Sequence, residues 1–282
     1  LHVDIPLFKE VMLLAFPVII SNISRVFMHI TDTAMVGHLG KNSLVAVAMS
    51  GMIIWIAISV GIGFRIATQS VTARRLGQEK LSECGVALRN VQFMCFIATV
   101  PLSFLVYFFS DYIVRLFLND PDVIPLSIDY LSVVSFSVYF SVSAFVFQGF
   151  YTGIEKTKIL MYVTIISNLL NIYLNAALIY GYKNIYLFFD SHGIEWLSIL
   201  WAWHDFPELG VKGAAIATLL SSMLMMISYF LYLFNKEIRI KYKIFKLFLD
   251  FKMMKKQFLI GYPQSISEIA LNFAFIMFYK IM

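Results

Sequence analysis

Charged residues are scarce in this sequence. Asp, Glu, Lys and Arg make up 14% of the 282 residues, whereas hydrophobic residues make up 60%, and the mean hydropathy is +0.80. Soluble domains are about a quarter charged and about half apolar. A water-soluble fold of this length cannot bury so much apolar surface, so the composition excludes a soluble globular domain and predicts a protein solvated by lipid.

Catalytic and metal-binding motifs are also missing. The two cysteines, Cys84 and Cys95, have neither the spacing of a metal site nor a context that favours a disulfide bond. The five histidines show no HExxH pattern, and there is no nucleophile elbow or phosphate-binding P-loop. We therefore expect no enzyme and no cofactor, and transport by this chain would draw its energy from an ion gradient. No short apolar segment ends in a cleavage site, so no removable signal peptide is expected.

Long apolar runs fill the chain instead. Crossing a hydrocarbon core takes about 20 helical residues, and six runs reach that length: 8–31, 44–70, 90–109, 127–150, 159–182 and 213–234. A seventh run begins near Phe258 and continues to Met282. The sequence predicts an all-α polytopic membrane helix bundle with six complete transmembrane helices and a partial seventh. Chains seldom end inside a bilayer, so we expect that a second half of the protein is missing.

The charges between the runs predict the orientation. Alternate loops are rich in Lys and Arg, and the intervening loops carry Asp and Glu instead. The basic loops contain Arg74, Arg75, Lys80, Arg89, Lys156, Lys158 and the Lys and Arg residues from Lys236 to Lys256. The positive-inside rule places these loops and the amino terminus in the cytoplasm, with the cell membrane as the expected location. The net charge of +5 then reflects membrane orientation and not nucleic-acid binding.

Two segments between the runs are amphipathic. The longest outer loop holds Trp196, Trp201 and Trp203, which favour a stretch lying in the outer interface, with a substrate lid as the alternative. Residues 238–256 alternate Lys with Ile, Phe and Leu and predict a helix on the cytoplasmic leaflet. The predicted domains are a six-helix transmembrane lobe at 1–234, a basic amphipathic linker at 235–257 and the first helix of a truncated second lobe at 258–282.

The first and seventh runs open alike. An aromatic residue precedes Pro17 and Pro263, and the pattern Ile-Ser-x-Ile begins three residues after each proline. Six helices separate the two copies, so both enter the membrane from the cytoplasmic side. This pattern predicts two parallel repeats related by an axis along the membrane normal, as in two-lobed transporters.

Polar residues at membrane depth mark the places to look for function, because each ionisable one costs about 2.5–3.5 kcal/mol on insertion scales. Asn22, Arg25, His29 and Asp32 follow one another in steps of three, four and three residues, so they share a helix face. Arg25 and Asp32 lie about 10.5 Å apart along the axis, so their side chains can meet directly or through His29. A functional cavity wall and a self-neutralising stripe against other helices both remain open.

The fifth run also has a polar face. Its members are Thr164, Asn168, Asn171 and Asn175. Interhelical hydrogen bonds, which average about 0.6 kcal/mol in membranes, explain such a face as well as a polar cavity wall does. Gln148 is expected to donate an interhelical hydrogen bond, and Arg65 to extend toward the interface.

Four stretches resemble those of the multidrug and toxic compound extrusion (MATE) exporters, in order and spacing. They are ITDTAMVGHLG at 30–40, GIG through RRLG at 61–77, NLLNIYLN at 168–175 and FPELGVKGAAIAT at 206–218. The resemblance covers essentially the whole chain. It implies twelve helices in two six-helix lobes around a central cavity, and export of cationic or amphipathic small molecules against H⁺ or Na⁺ entry. This chain would then supply the amino-terminal lobe, with the carboxy-terminal half of the same protein as its partner.

The resemblance also implies an ion-coupling site that can take H⁺ or Na⁺. The matching positions are Asp32, Asn171, Asn175 and Thr218. The cavity residues expected beside them are Asn22, Arg25, His29, Gln148, Asn168 and Glu268. Asn175 stands where many members carry a carboxylate, and Arg25 where an uncharged residue is expected. We therefore predict that Asp32 binds a proton and not a caged sodium ion, with an Arg25–Asp32 ion pair as the alternative.

Two other functions are alternatives to export. A flippase for a lipid-linked saccharide, from the wider superfamily, shares the lobed design but tends to line its cavity with many cationic residues. A non-transport intramembrane enzyme or assembly factor needs a clustered catalytic set at one depth, which the sequence lacks. Ion-coupled export is the function we predict.

Overall fold

The structure of the chain, a computed structural model, describes residues 5–246 and 248–281. The first four residues of the predicted lobe, Leu247 of the predicted linker and Met282 of the predicted seventh helix lie outside the described residues. The long helices are α1 (Ile5–Gly37), α2 (Lys41–Gly77), α3 (Leu81–Phe108), α6 (Ser137–Gly153), α7 (Lys158–Asn175), α9 (Gly210–Tyr232) and α11 (Phe251–Ile281). The shorter ones are α4 (Ser110–Phe117), α5 (Val123–Val134), α8 (Gly181–Ser191) and α10 (Lys236–Lys241).

Several helices have the length of membrane spans. Backbone N–H and C=O groups in lipid must be paired within their own segment, which is why the apolar runs fold as helices. Among the described residues, five helical stretches are long and apolar enough to cross a membrane, and six if the bent pair α5 and α6 forms one span. The predicted all-α membrane helix bundle is confirmed. Helix α11 is less apolar and does not pass the same test, because basic and polar residues interrupt it.

The fourth predicted run is not one straight helix. It divides into α5 and α6, which meet at an angle of 48°. Ser135 and Ser137 donate side-chain hydrogen bonds of 2.7 Å to the carbonyl groups of Ser132 and Val134, three residues back. Such local bonds compete with the regular helix ladder, and they account for the bend that hydropathy alone did not predict.

Helices α2 and α6 form the centre of the lobe. The backbone of Gly149 on α6 lies directly against the backbone of Arg65 on α2, where any side chain larger than glycine would collide. Phe150 and Tyr151 beside it are fully buried, and the Tyr151 hydroxyl donates to the Tyr229 carbonyl of α9 at 2.7 Å. Helix α1 lies at the edge and contacts mainly α7. Its exposed Phe16 therefore faces away from the lobe.

The fifth predicted run continues beyond its expected end. Helix α7 passes into a π-helical turn at Ala176–Tyr180 and then into α8. After α8, a short 3₁₀ helix at Glu195–Leu200 leads to the tryptophans of the outer loop. The Trp201 ring stacks on Tyr173 with centroids 5.1 Å apart, and Trp203 donates to the Tyr173 hydroxyl at 2.6 Å. The loop is thus fastened to the end of α7, with much of Trp203 exposed as expected at an interface.

The basic segment after α9 is not the continuous amphipathic helix that the sequence predicted. Helix α10 ends at Lys241, and Lys243 has a φ of +48°, which breaks the helix. The Arg89 guanidinium on α3 donates to the carbonyl groups of Lys243 and Ile244 at 2.9 and 2.7 Å. These carbonyl groups are satisfied by a side chain and not by a following helical turn, so residues 242–246 fold as a loop on α3.

Helix α11 begins earlier than the predicted Phe258. The Asp250 carboxylate accepts a hydrogen bond from the Met253 amide at 3.0 Å and so caps the first turn at Phe251. Asn90 on α3 also exchanges two hydrogen bonds with the Asp250 backbone, at 3.0 and 3.1 Å. The start of α11 is therefore held by α3, within the segment predicted as a linker.

Pro17 and Pro263, the residues that carry the predicted repeat, lie inside α1 and α11. Helix α11 packs against α2, with Gly261 and Gly63 close enough for their backbones to touch. The Ser265 hydroxyl on α11 donates to the Val60 carbonyl on α2 at 3.0 Å. Glycine allows this approach because it has no Cβ.

Candidate functional site

A cavity of about 620 Å³ lies between α1, α2 and α11 on one side and α5, α6, α7 and α9 on the other. Most of its wall is apolar, with Trp55 and Phe145 among the lining side chains. Five of the predicted residues also line it: Arg25, His29, Asp32, Asn168 and Thr218. An apolar cavity with a few converging polar groups is the usual form of a small-molecule site.

Asp32 is held by the polar face of α7. The Asn175 amide donates to the Asp32 carboxylate at 2.5 Å and to the Asn171 side-chain oxygen at 3.1 Å. Asn171 and Asn175 are buried behind the cavity wall, and Asp32 is half-buried at the wall itself. Asn175 is the last residue of α7 before the π-helical turn, a distortion that is frequent at functional sites. The structure therefore brings together three of the four predicted ion-coupling residues.

Thr218, the fourth predicted ion-coupling residue, lines the cavity but turns its hydroxyl to its own helix. It donates to the Ala214 carbonyl at 3.0 Å. The buried Tyr130 of α5 interacts with Thr218 and, electrostatically, with Asp32. Thr218 and Asp32 thus lie on the same cavity wall, and Tyr130 connects them.

The oxygen atoms around Asp32 include one without a partner. In the described structure, the Asn175 side-chain oxygen is buried and accepts no hydrogen bond, and the Asn171 amide nitrogen donates none. Asp32 supplies the only formal negative charge of the four predicted residues. Among the described residues no group of three or more His, Cys, Asp or Glu side chains has the geometry of a metal site. Neutral amide oxygens and one carboxylate can bind a proton or, less strongly, a hard cation.

Arg25 has different surroundings. Its guanidinium carbon lies 5.5 Å from the centre of the Phe145 ring, and no described residue hydrogen-bonds to it or forms an ion pair with it. The alternative Arg25–Asp32 ion pair is absent from the described structure. Asp32 is engaged by Asn175 instead, about two helical turns away from Arg25.

Three residues predicted for the cavity lie outside its wall. Asn22 is exposed on α1, one turn before Arg25. Gln148 is buried in α6 and donates to the Met225 sulfur on α9 at 4.0 Å, the interhelical hydrogen bond expected of it. Glu268 accepts a hydrogen bond from Gln264 at 3.2 Å along α11. Polarity, helical spacing and the family resemblance do not determine which residues line the cavity, because the neighbouring helices decide which part of each face meets it.

Several residues that line the cavity were not predicted from the sequence. Trp55, Tyr130, Ser222 and Asn272 all face the cavity. Single aromatic or small polar residues within apolar runs look the same whether they pack in a core or line a cavity. Asn272 carried a usable signal, since it follows Glu268 by four residues and donates to its carbonyl at 2.7 Å.

Relatives with curated descriptions are similar to most of this chain, and each of the following is described as "Probable multidrug resistance protein NorM". The protein from Agrobacterium fabrum is 24% identical over 265 residues, covering 93% of this chain and 52% of the relative. The protein from Thermotoga maritima is 30% identical over 221 residues, covering 76% of this chain and 41% of the relative. The chain spans about half the length of the curated relatives it matches.

Solved transporters share the fold. A multidrug resistance MATE family transporter of the MOP superfamily, in an outward-facing conformation, superposes with a TM-score of 0.79 at 23% identity, covering 95% of this chain and 54% of that one. A eukaryotic MATE transporter superposes with a TM-score of 0.77 at 19% identity, covering 96% and 56%. At these identities the likeness concerns the fold.

The family assignment rests on a longer match. The family model MatE matches residues 17–177, which is more than half of the chain and includes Asp32, Asn171 and Asn175. The relatives are named as multidrug resistance proteins and transporters, not as enzymes. With its membrane-length apolar helices, this chain is an integral membrane protein, and it belongs to the MATE family.

Proposed function

We propose that this chain forms the amino-terminal lobe of an ion-coupled antiporter that exports cationic or amphipathic small molecules across the cell membrane. One observation supports this proposal above the others: Asp32, joined to Asn175 and Asn171, stands at the wall of an otherwise apolar cavity between membrane helices. A carboxyl group inside a membrane costs free energy, so its presence there is a sign of function.

The coupling ion in this proposal is the proton. The side chain that engages Asp32 is the neutral amide of Asn175, which brings no negative charge of its own. Asp32 also lacks a second carboxylate to share the charge of a bound cation. Protonation of Asp32 neutralises the group and weakens the charge-assisted bond from Asn175, which joins α1 to α7. A proton taken up at Asp32 thereby loosens α1 from α7 and changes the cavity wall.

The other half of the antiporter is a second lobe. Helix α1 packs on its own lobe along only part of its surface and leaves Phe16, Ile23 and Phe27 exposed. We propose that the carboxy-terminal half of the same protein closes the cavity on this side, with residues 1–234 as one lobe, 235–257 as the connection and 258–282 as the start of the other. The amino terminus and the basic loops are cytoplasmic in this proposal.

Transport measurements test the proposal. In proteoliposomes that hold this chain with a second chain supplying the carboxy-terminal lobe, we expect export under a proton gradient. Asp32→Asn should abolish it, because the substituted side chain cannot release a proton, while the exposed Asp129→Asn serves as a matched control that keeps it. Full transport by Asp32→Asn, or transport that needs Na⁺ and ignores pH, would contradict proton coupling. Gradient-dependent export by this chain alone would replace the two-lobe proposal with a homodimer.

Cysteine labelling tests the orientation separately. Single cysteines at Lys41, Asp122 or Ser191 should react with a membrane-impermeant reagent added outside the cell. Cysteines at Gly77, Lys156 or Lys243 should react only after the membrane is opened. External labelling at Lys243 would invert the topology.

A further inference from the structure

Arg25 places a positive charge at the cavity that no described residue neutralises. The residue is half-buried on α1, and its guanidinium group lies over the Phe145 ring with 5.5 Å to the ring centre. A guanidinium group carries five N–H donors, and in the described structure none of them reaches a hydrogen-bond acceptor or a carboxylate. A ring contact contributes about 0.5–2 kcal/mol but satisfies none of these donors.

A second arginine increases the positive potential at this place. Arg65 on α2 interacts electrostatically with Arg25, and it too has no carboxylate partner in the described part of the chain. Tyr229 on α9 is the other titratable group that interacts with both arginines. Two like charges held together within a bundle of membrane helices oppose folding. A negative charge bound beside Arg25 would relieve this repulsion.

Asp32 does not provide that counter-charge. It lies about two helical turns from Arg25, and Asn175 already engages it at 2.5 Å. His29 stands between the two on the same helix and also lines the cavity. The cavity thus has a carboxyl end at Asp32 and a cationic end at Arg25, joined by the apolar side chains of Trp55 and Phe145.

We propose that the Arg25 end of the cavity binds an anionic group, such as a carboxylate, sulfonate or phosphate, carried by an amphipathic molecule. The anionic group accepts hydrogen bonds from the guanidinium fork, while Trp55 and Phe145 contact the aromatic or aliphatic body. This inference rests on the proposed export function and narrows its substrate class among amphipathic compounds. The anionic group can belong to a dissolved small molecule or to the headgroup of an acidic lipid.

A matched pair of ligands tests the proposal on this 282-residue chain in phosphatidylcholine nanodiscs. Dansylglycine and dansylcadaverine carry the same fluorophore, with a carboxylate on the first and an ammonium group on the second. We expect dansylglycine to bind at least tenfold more tightly than dansylcadaverine. Arg25→Gln should remove this preference. Arg115→Gln, which changes an exposed arginine paired with Asp111 at 2.9 Å, should leave it unchanged.

The stability of the same variants separates a binding role from a structural one. An unpaired arginine costs free energy in the unliganded lobe, so Arg25→Gln should leave the melting temperature unchanged or raise it. Arg25→Lys keeps the charge without the fork and should retain part of the preference for dansylglycine. A clear loss of melting temperature in Arg25→Gln would show that Arg25 holds the lobe together, and would overturn the proposal. Equal or tighter binding of dansylcadaverine by the wild type, or binding of neither ligand, would also overturn it.

Nanodiscs containing phosphatidylglycerol identify the source of the anion. Competition between this lipid and dansylglycine that disappears in Arg25→Gln assigns the subsite to a lipid headgroup, whereas binding that is unaffected by the lipid assigns it to a dissolved substrate. Both outcomes support an anion subsite. A negative result in this binding test would not contradict proton-coupled export, because the export test depends on Asp32 and the binding test on Arg25.

Discussion

Asp32 and Arg25 stand on the same face of α1, yet their surroundings are opposite. Asp32 meets the end of α7, where Asn175 donates to it and Asn171 continues the chain of hydrogen bonds. Arg25 meets an aromatic ring on α6 and, in the described structure, no polar partner. The Asp32 carboxylate is hydrogen-bonded within the lobe, whereas the Arg25 guanidinium group lines the cavity with its donors unpaired in the described structure.

The contrast shows that the spacing of polar residues on one helix does not determine which of their side chains are paired. Arg25, His29 and Asp32 share one face of α1 through their spacing, and all three line the cavity. The spacing did not decide which of them are paired, because the partners come from other helices. A single self-neutralising stripe would have joined Arg25 to Asp32. Instead, α7 donates to Asp32 and to Ser24, the residue before Arg25, and in the described structure it gives Arg25 no acceptor.

Removing the partner of Asp32 gives the largest expected change in stability. Asn175→Leu leaves the half-buried Asp32 carboxyl without its donor, so the free energy of unfolding in a detergent titration should fall by about 1–2 kcal/mol. The same substitution should also weaken the contact between α1 and α7. An unchanged free energy of unfolding would show that the Asp32–Asn175 bond does not hold the lobe together.

Asn22→Leu is the matched change with the smallest expected effect. Asn22 lies on the same face of α1 by sequence, but its side chain is exposed. Its substitution should alter the free energy of unfolding by no more than about 0.5 kcal/mol, as is usual for surface positions. If Asn22→Leu lowered the free energy of unfolding more than Asn175→Leu does, the polar face of α1 would be structural along its whole length. Asp32 would then not be the part of that face that holds α1 in the lobe.

Much of the fold could be predicted from the sequence, because lipid imposes one simple rule on the backbone. Runs of about 20 apolar residues must be helical. Helices α1, α2, α3 and α9 each contain one, and so does the stretch from α7 through α8. The bend between α5 and α6 was missed because it depends on Ser135 and Ser137, whose effect hydropathy does not measure. The loop before α11 was missed because its carbonyl groups are satisfied by Arg89, far away in sequence.

The candidate site was predictable in part. Hydropathy identified Asp32 and Asn175 as costly polar residues, and the family resemblance connected them; the structure brings them together at 2.5 Å. Glu268 and Gln148 satisfied the same criteria but lie away from the cavity, since polarity within a run does not say which neighbour a side chain meets. The anion subsite at Arg25 emerges only from the absence of a partner in the described structure, which a sequence cannot show.

The account depends most on Asp32 as a carboxyl group that exchanges a proton. Infrared spectroscopy of this chain in nanodiscs measures that directly, through the carbonyl stretch of protonated carboxyl groups as the pH is varied. Every protonated Asp or Glu contributes to this stretch, so the difference between the wild type and Asp32→Asn isolates the Asp32 component. We expect that component to titrate with pH, to persist in Asp129→Asn and not to respond to Na⁺. Identical titration of the wild type and Asp32→Asn, or a component that Na⁺ removes at constant pH, would show that Asp32 does not exchange a proton.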